Sequence, residues 1–176
     1  MFPTQYAIES TYVDILRRMS VDTENAAAGW YNDANAFAHE LCNIRPDWSL
    51  EVASSVVSAF SPRERWESNR AKALMYAMGG TPRGLSNNLR MAQNAERIGF
   101  AALRGRKTNE FARAIAGDRN AVVIDTWMLK PFDRKSITGP QYTTMQCAVR
   151  EVARMHLMDP RTAQAAIWII LRGSAL

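Results

Sequence analysis

Apolar residues recur at three- and four-residue steps along almost the whole chain, and that spacing leaves little room for a sheet. Tyr12, Ile15, Leu16 and Met19 form one such stripe, and Ala27, Trp30, Tyr31, Ala34, Phe37, Ala38 and Leu41 form a longer one. Both fit one face of an α-helix, and neither fits the period of two that a half-buried strand requires. The expected fold class is therefore all-α, a compact bundle of about nine short helices in two packed halves.

Breaks in the pattern set the expected boundaries. Ser20–Asp22 ends the first stripe, and Asp22 or Thr23 can cap the second helix. Asn43–Pro46 breaks that helix, and Asp47 or Ser49 opens the next, through Val52, Val56, Val57 and Phe60. Ser61-Pro62 forms a corner, because the residue before proline is driven out of the helical region. A helix over 62–78 follows, with Trp66, Ala73, Leu74 and Met75 on its apolar face, and Gly79-Gly80 ends it. Helices are expected over 85–95 and 98–103, then from Lys107 to Ala116, where Gly117 stops the chain. The run Ala121–Ile124 reads as extended or irregular, with a short helix after Asp125. A long helix over 142–158, capped by Thr138 or Thr143, precedes a last one that begins at Asp159-Pro160. No repeat, low-complexity segment or long linker divides the chain, so residues 1–176 read as a single domain.

The longest apolar run, Ala165–Leu171, is too short to span a membrane. No secretory signal is visible near Glu9 and Asp14, and a cytoplasmic location is expected. Cys42 and Cys147 are too few to ligate an iron–sulfur cluster and make a zinc site a poor fit, so both are expected to be buried free thiols and no metal is expected. Net charge is +5 and arginines predominate among the cations. That balance suits phosphate oxygens, and it equally suits an arginine-rich solvated surface.

Lys107 and Asp125 stand out against this background. An amine opens one helix, and eighteen positions later a carboxylate follows a short apolar run. A helix, a turn and a return can bring the two into one cleft, and an amine beside a carboxylate is suited to attack on a sugar carbon. Lys107 beginning a helix and Asp125 capping one is the plainer reading of the same residues.

The run Gly105-Arg106-Lys107-Thr108, with Ile124-Asp125-Thr126 at that spacing, resembles the helix-hairpin-helix DNA glycosylases of the endonuclease III type. Val56-Val57-Ser58-Ala59-Phe60-Ser61 resembles the family's helix that ends in a Leu-Ser-Ala-Gln-like corner. Ile167-Trp168-Ile169-Ile170-Leu171-Arg172-Gly173 resembles its closing helix. The three pieces fall in order over residues 50–173. The first 45 residues, with Trp30-Tyr31, and the stretch from Ser61 to Asn69 resemble small proteins of actinobacterial bacteriophages, which implies the cytoplasm of a host cell.

The resemblance has departures. Ala101-Ala102-Leu103-Arg104-Gly105 stands where the family's hairpin reads like Leu-Pro-Gly-Val-Gly, so Leu103 replaces a glycine. Trp127 stands where the family has histidine, and Pro131 should shorten the helix after Asp125. The four cluster cysteines are missing, which implies a cluster-free member of the superfamily.

The resemblance implies a DNA glycosylase with lyase character that excises a modified or mismatched base flipped into a cleft between the two halves. Lys107 would attack the sugar to form an imine, and Asp125 would stabilise positive charge on the ring and accept a proton. A free lysine titrates near ~10.4, so burial and the nearby cations Arg104 and Arg106 would have to favour its neutral form. Arg104, Gly105, Arg106 and Thr108 would contact DNA, together with Phe60 and Ser61 at the corner, Phe60 serving as a wedge. Trp66 and Trp127 would line the base pocket. The hairpin would take at most a monovalent cation, and no other cofactor or obligate protein partner is implied. A transferase that modifies bases in phage DNA, and a DNA-binding protein without chemistry, are the alternative readings of the same fold.

Overall fold

The computed structural model describes residues 1–173. Its described residues form helices and loops, with no strand. The α-helices are α1 (Gln5–Leu16), α2 (Val21–Ile44), α3 (Leu50–Phe60), α4 (Trp66–Ala77), α5 (Ser86–Ile98), α6 (Arg106–Ile115), α7 (Thr126–Leu129), α8 (Gly139–Met155) and α9 (Pro160–Arg172). Two 3-10 turns, Gly99–Ala102 and Lys130–Phe132, join α5 to α6 and extend α7.

Capping chemistry explains most boundaries. Ser49 caps α3, Asp159 caps α9, and Thr138 with Gln141 makes a reciprocal capping box at α8. Helix α2 starts before either expected cap, at Val21, with Ser20 Oγ accepting from Thr23 N at 3.1 Å. The helix expected over 62–78 is shorter, because Arg63 takes a φ of 64° and interrupts the chain before Trp66. Its apolar face also differs. Asn69, Ala73 and Ala77 are buried, while Leu74 and Met75 are largely exposed.

The chain divides into two compact units, Met1–Tyr31 with 119–176, and Asn32–Asp118. In the first, α1, α8 and α9 pack on one another, and α7 rests on α9. Tyr12 of α1 donates from its hydroxyl to Met128 O at 3.0 Å and meets the Phe132 ring edge-on at 5.6 Å. In the second unit α3 is the central element, packed against α4, α5 and α6. Its eight residues Ala53–Phe60 are all buried, which is the pattern of a helix enclosed on every side. Small side chains (Ala53, Ser54, Ser55, Ser58, Ala59) let its neighbours approach closely.

Glu96 of α5 is the second unit's main polar junction. Its carboxylate accepts from Arg45 at 2.6 Å, from Trp48 Nε1 at 3.3 Å and from the Tyr76 hydroxyl at 2.6 Å. Burial pushes its carboxyl pKa up, but the hydrogen bonds from Tyr76, Arg45 and Trp48 outweigh that effect and hold it below the ordinary glutamate value. Both cysteines are free thiols, half-buried rather than enclosed.

Candidate functional site

Asp125 is placed by the segment before it. Ala121, Val122, Val123 and Ile124 are all buried, though they belong to no helix or strand. Two of their backbone groups are held by side chains of α8. Tyr142 Oη accepts from Ile124 N at 3.0 Å, and Gln146 Nε2 donates to Val122 O at 3.1 Å. The extended run expected from sequence is thus pinned before it reaches Asp125.

The carboxylate itself takes three hydrogen bonds. Asp125 Oδ1 accepts from the amides of Trp127 at 2.9 Å and Met128 at 3.2 Å, capping α7. Oδ2 accepts from the indole Nε1 of Trp168 at 3.0 Å. Trp168 meets the Trp30 ring edge-on at 6.0 Å, and the Arg172 guanidinium lies over it at 4.9 Å. Burial and then the charge of Asp125 push the Tyr12 hydroxyl far above the ordinary tyrosine pKa, so Tyr12 acts as a neutral donor.

Lys107 belongs to the second unit, in the first turn of α6. Arg104, Gly105, Arg106 and Lys107 are four consecutive exposed residues. The Lys107 amine makes no hydrogen bond or ion pair among the described residues, so the apolar enclosure expected around it is not found there.

The turn behind it is fixed from within. Asn109 Nδ2 donates to Phe100 O at 2.9 Å and to Leu103 O at 3.3 Å, while Thr108 Oγ1 donates to Gly105 O at 2.9 Å. The carbonyls of Phe100 and Leu103 therefore each have an internal donor. Leu103 is buried as a core residue, which explains an apolar side chain where the resemblance has glycine. Gly105 has ordinary extended dihedrals. The position in this turn that demands glycine is Gly99, at a φ of 55°, where a Cβ would collide with the Glu51 side chain.

The remaining predicted residues fall in different surroundings. Phe60 corrects the expectation of a wedge, because it is 2% exposed and packs edge-on against Tyr76 at 5.8 Å. Entering a duplex would require it to leave the core. Ser61 Oγ donates to Ser58 O at 2.8 Å and so serves the end of α3. Trp66 is half-buried between the rings of Phe37 (6.3 Å) and Phe111 (6.4 Å). Trp127 is half-buried in the first unit, with the Lys130 amine 3.2 Å from its ring centroid.

Sequence reasoning did not link Trp168 to Asp125 and overlooked Asn109. Trp168 lies 43 positions from its partner, so no local pattern announces the bond. Asn109 gave a readable signal, an amide two residues after Lys107 in a helix's first turn, where such side chains often serve nearby backbone. No group of three or more His, Cys, Asp or Glu among the described residues could hold a metal ion, and no described helix is long and apolar enough to cross a membrane.

Residues 4–175 match the model of a family of unknown function, DUF7178. The chain belongs to that family. No curated protein and no solved structure matches it. The match covers both units, so Lys107 and Asp125 of this DUF7178 protein both lie within the family's shared region.

Proposed function

We propose that this DUF7178 protein is a DNA glycosylase-like enzyme, with Lys107 as an imine-forming nucleophile and Asp125 as the charge that stabilises the sugar when the base departs. The supporting observation is a carboxylate held by two backbone amides and one indole N–H, eighteen positions after an exposed lysine in the first turn of a helix. A negative charge that must stabilise a developing cation works best when its position is fixed before the reaction starts. A nucleophile on a four-carbon stem can reach its target from the surface.

In this scheme the lysine nitrogen attacks C1′ and the base leaves with its bonding electron pair. The attacking nitrogen passes a proton to Asp125 as it bonds to C1′, and the departing base takes a proton from water. The C1′–O4′ bond opens to give the imine, and elimination of the 3′ phosphate then breaks the strand beside the abasic sugar. The test is borohydride trapping on duplex DNA carrying one abasic site. The expected result is a covalent adduct with the wild type and none with Lys107→Ala. An adduct that survives the substitution overturns the assignment.

A second reading is a DNA-binding protein without chemistry. It is favoured by the structural work Asp125 already does as the cap of α7. Free base released from DNA argues for excision, mass added to a nucleoside for the transferase alternative, and neither for binding alone.

A further inference from the structure

We propose that Arg63 is a backbone-contacting residue for duplex DNA, held out from the second unit at the tip of a turn, with exposed Arg65 beside it and exposed Arg104 and Lys107 at the start of a helix tied to the one that leads into the turn. The inference rests on the DNA reading above, but it concerns a residue outside the glycosylase-like motifs.

Arg63 is exposed and has a φ of 64°, with Pro62 before it and a hydrogen bond from Glu64 N to Ser61 O at 3.2 Å closing the turn. Turns with positive φ at the third residue normally carry glycine or asparagine there, because a β-carbon is strained in that region. An arginine at this position is a departure from local preference on the surface, where core packing cannot require it. Such departures persist where the surroundings hold them and often serve a function.

The turn is held from two sides. Asn88 Nδ2, itself buried, donates to Pro62 O at 3.2 Å. Glu64 accepts from Ser68 Oγ at 2.7 Å and pairs with Lys72, so the one acidic side chain in the turn is neutralised from within. The tip therefore presents cationic charge.

A second basic corner adjoins it. Ser58, in the last turn of α3, donates from Oγ to Thr108 O at 2.7 Å, in the first turn of α6. That bond ties the helix leading into the Arg63 turn to the helix that begins with Arg106 and Lys107. Arg63, Arg65, Arg104, Arg106 and Lys107 are all exposed. Arg63, Arg65, Arg104 and Lys107, on two segments joined through the Ser58–Thr108 bond, complement a phosphodiester backbone, whose charges are repeated and fixed in position.

The test is a salt titration of binding to an undamaged duplex by fluorescence anisotropy, with wild type, Arg63→Gly, Arg63→Lys and Arg18→Ala. Arg63→Gly should lower the slope of log affinity against log salt by about one and weaken binding about fivefold, while its thermal midpoint holds or rises. Arg63→Lys keeps the charge and should keep the slope. Arg18→Ala removes an exposed charge from the first unit and should leave the slope unchanged. A wild-type slope retained by Arg63→Gly, or lowered equally by Arg18→Ala, overturns the assignment of Arg63 while DNA binding stands. Failure of the wild type to bind duplex DNA at low salt overturns the DNA reading and this inference together.

Discussion

Around Asp125 the chain is buried from Ala121 to Ile124 and the carboxylate takes three hydrogen bonds, whereas around Lys107 four consecutive residues are exposed and the amine has no partner among the described residues. The two surroundings suit different tasks. An electrostatic stabiliser gains from a fixed position, and a nucleophile gains from reach. The same contrast separates what each residue contributes to stability, since only Asp125 supports the fold around it. A substitution at each site can therefore test whether role and surroundings correspond.

The largest effect is expected at Lys107. Replacing it with alanine should abolish imine trapping, while denaturant unfolding shifts by no more than about 0.5 kcal/mol, as for an exposed side chain without partners. A large loss of stability would break the contrast by showing a structural role for the lysine.

Asp125 should behave in the opposite sense. Asp125→Asn keeps a good N-cap but removes the charge, so base release should slow by about 10²-fold on any duplex the wild type acts on. Asp125→Ala should in addition cost about 2 kcal/mol by denaturant unfolding, because the α7 amides and the Trp168 N–H lose their acceptor.

Trp168→Phe sharpens the comparison at smaller scale. It keeps most of the ring and removes the N–H, so stability should fall by about 1–2 kcal/mol. Turnover should drop with little change in KM if the indole fixes the carboxylate for the chemical step. Unchanged turnover in a folded variant would show that this bond serves α7 alone.

The smallest effect concerns Glu96, away from both residues in sequence. Its folded pKa is lowered, so its stabilisation is present above the unfolded glutamate value of about 4.3 and is lost as pH falls through the folded value. Thermal midpoints measured from about pH 6 down to about pH 3 should decline less steeply for Glu96→Gln than for the wild type. Parallel curves would show that other carboxylates govern the acid limb.

The helices were legible in the sequence because their signals are local. The Ser49, Thr138 and Asp159 caps and the corner at Pro62 each rest on a few adjacent residues. Fold class followed from periodicity alone. The positions of site residues were less legible, because they depend on partners distant in the chain. Phe60 sits at a corner that reads as an edge, yet Tyr76 and the enclosure of α3 keep it in the core. Asp125 was visible as a cap, but its bond to Trp168 spans 43 residues and follows only from the packing of α7 on α9. Arg63 was visible in the sequence as one of several clustered cations, but its place at the tip of a turn was not, because a positive φ at a non-glycine residue contradicts local preference.

The most direct test of the division between a reaching nucleophile and a fixed charge is a three-way trapping experiment on one abasic-site duplex, with wild type, Lys107→Ala and Asp125→Asn. The base has already gone from that substrate, so the charge that assists its departure is no longer needed. The account predicts an adduct with wild type, an adduct reduced only a few-fold with Asp125→Asn, and none with Lys107→Ala. An adduct that persists in Lys107→Ala, or one lost equally in both variants, would contradict it.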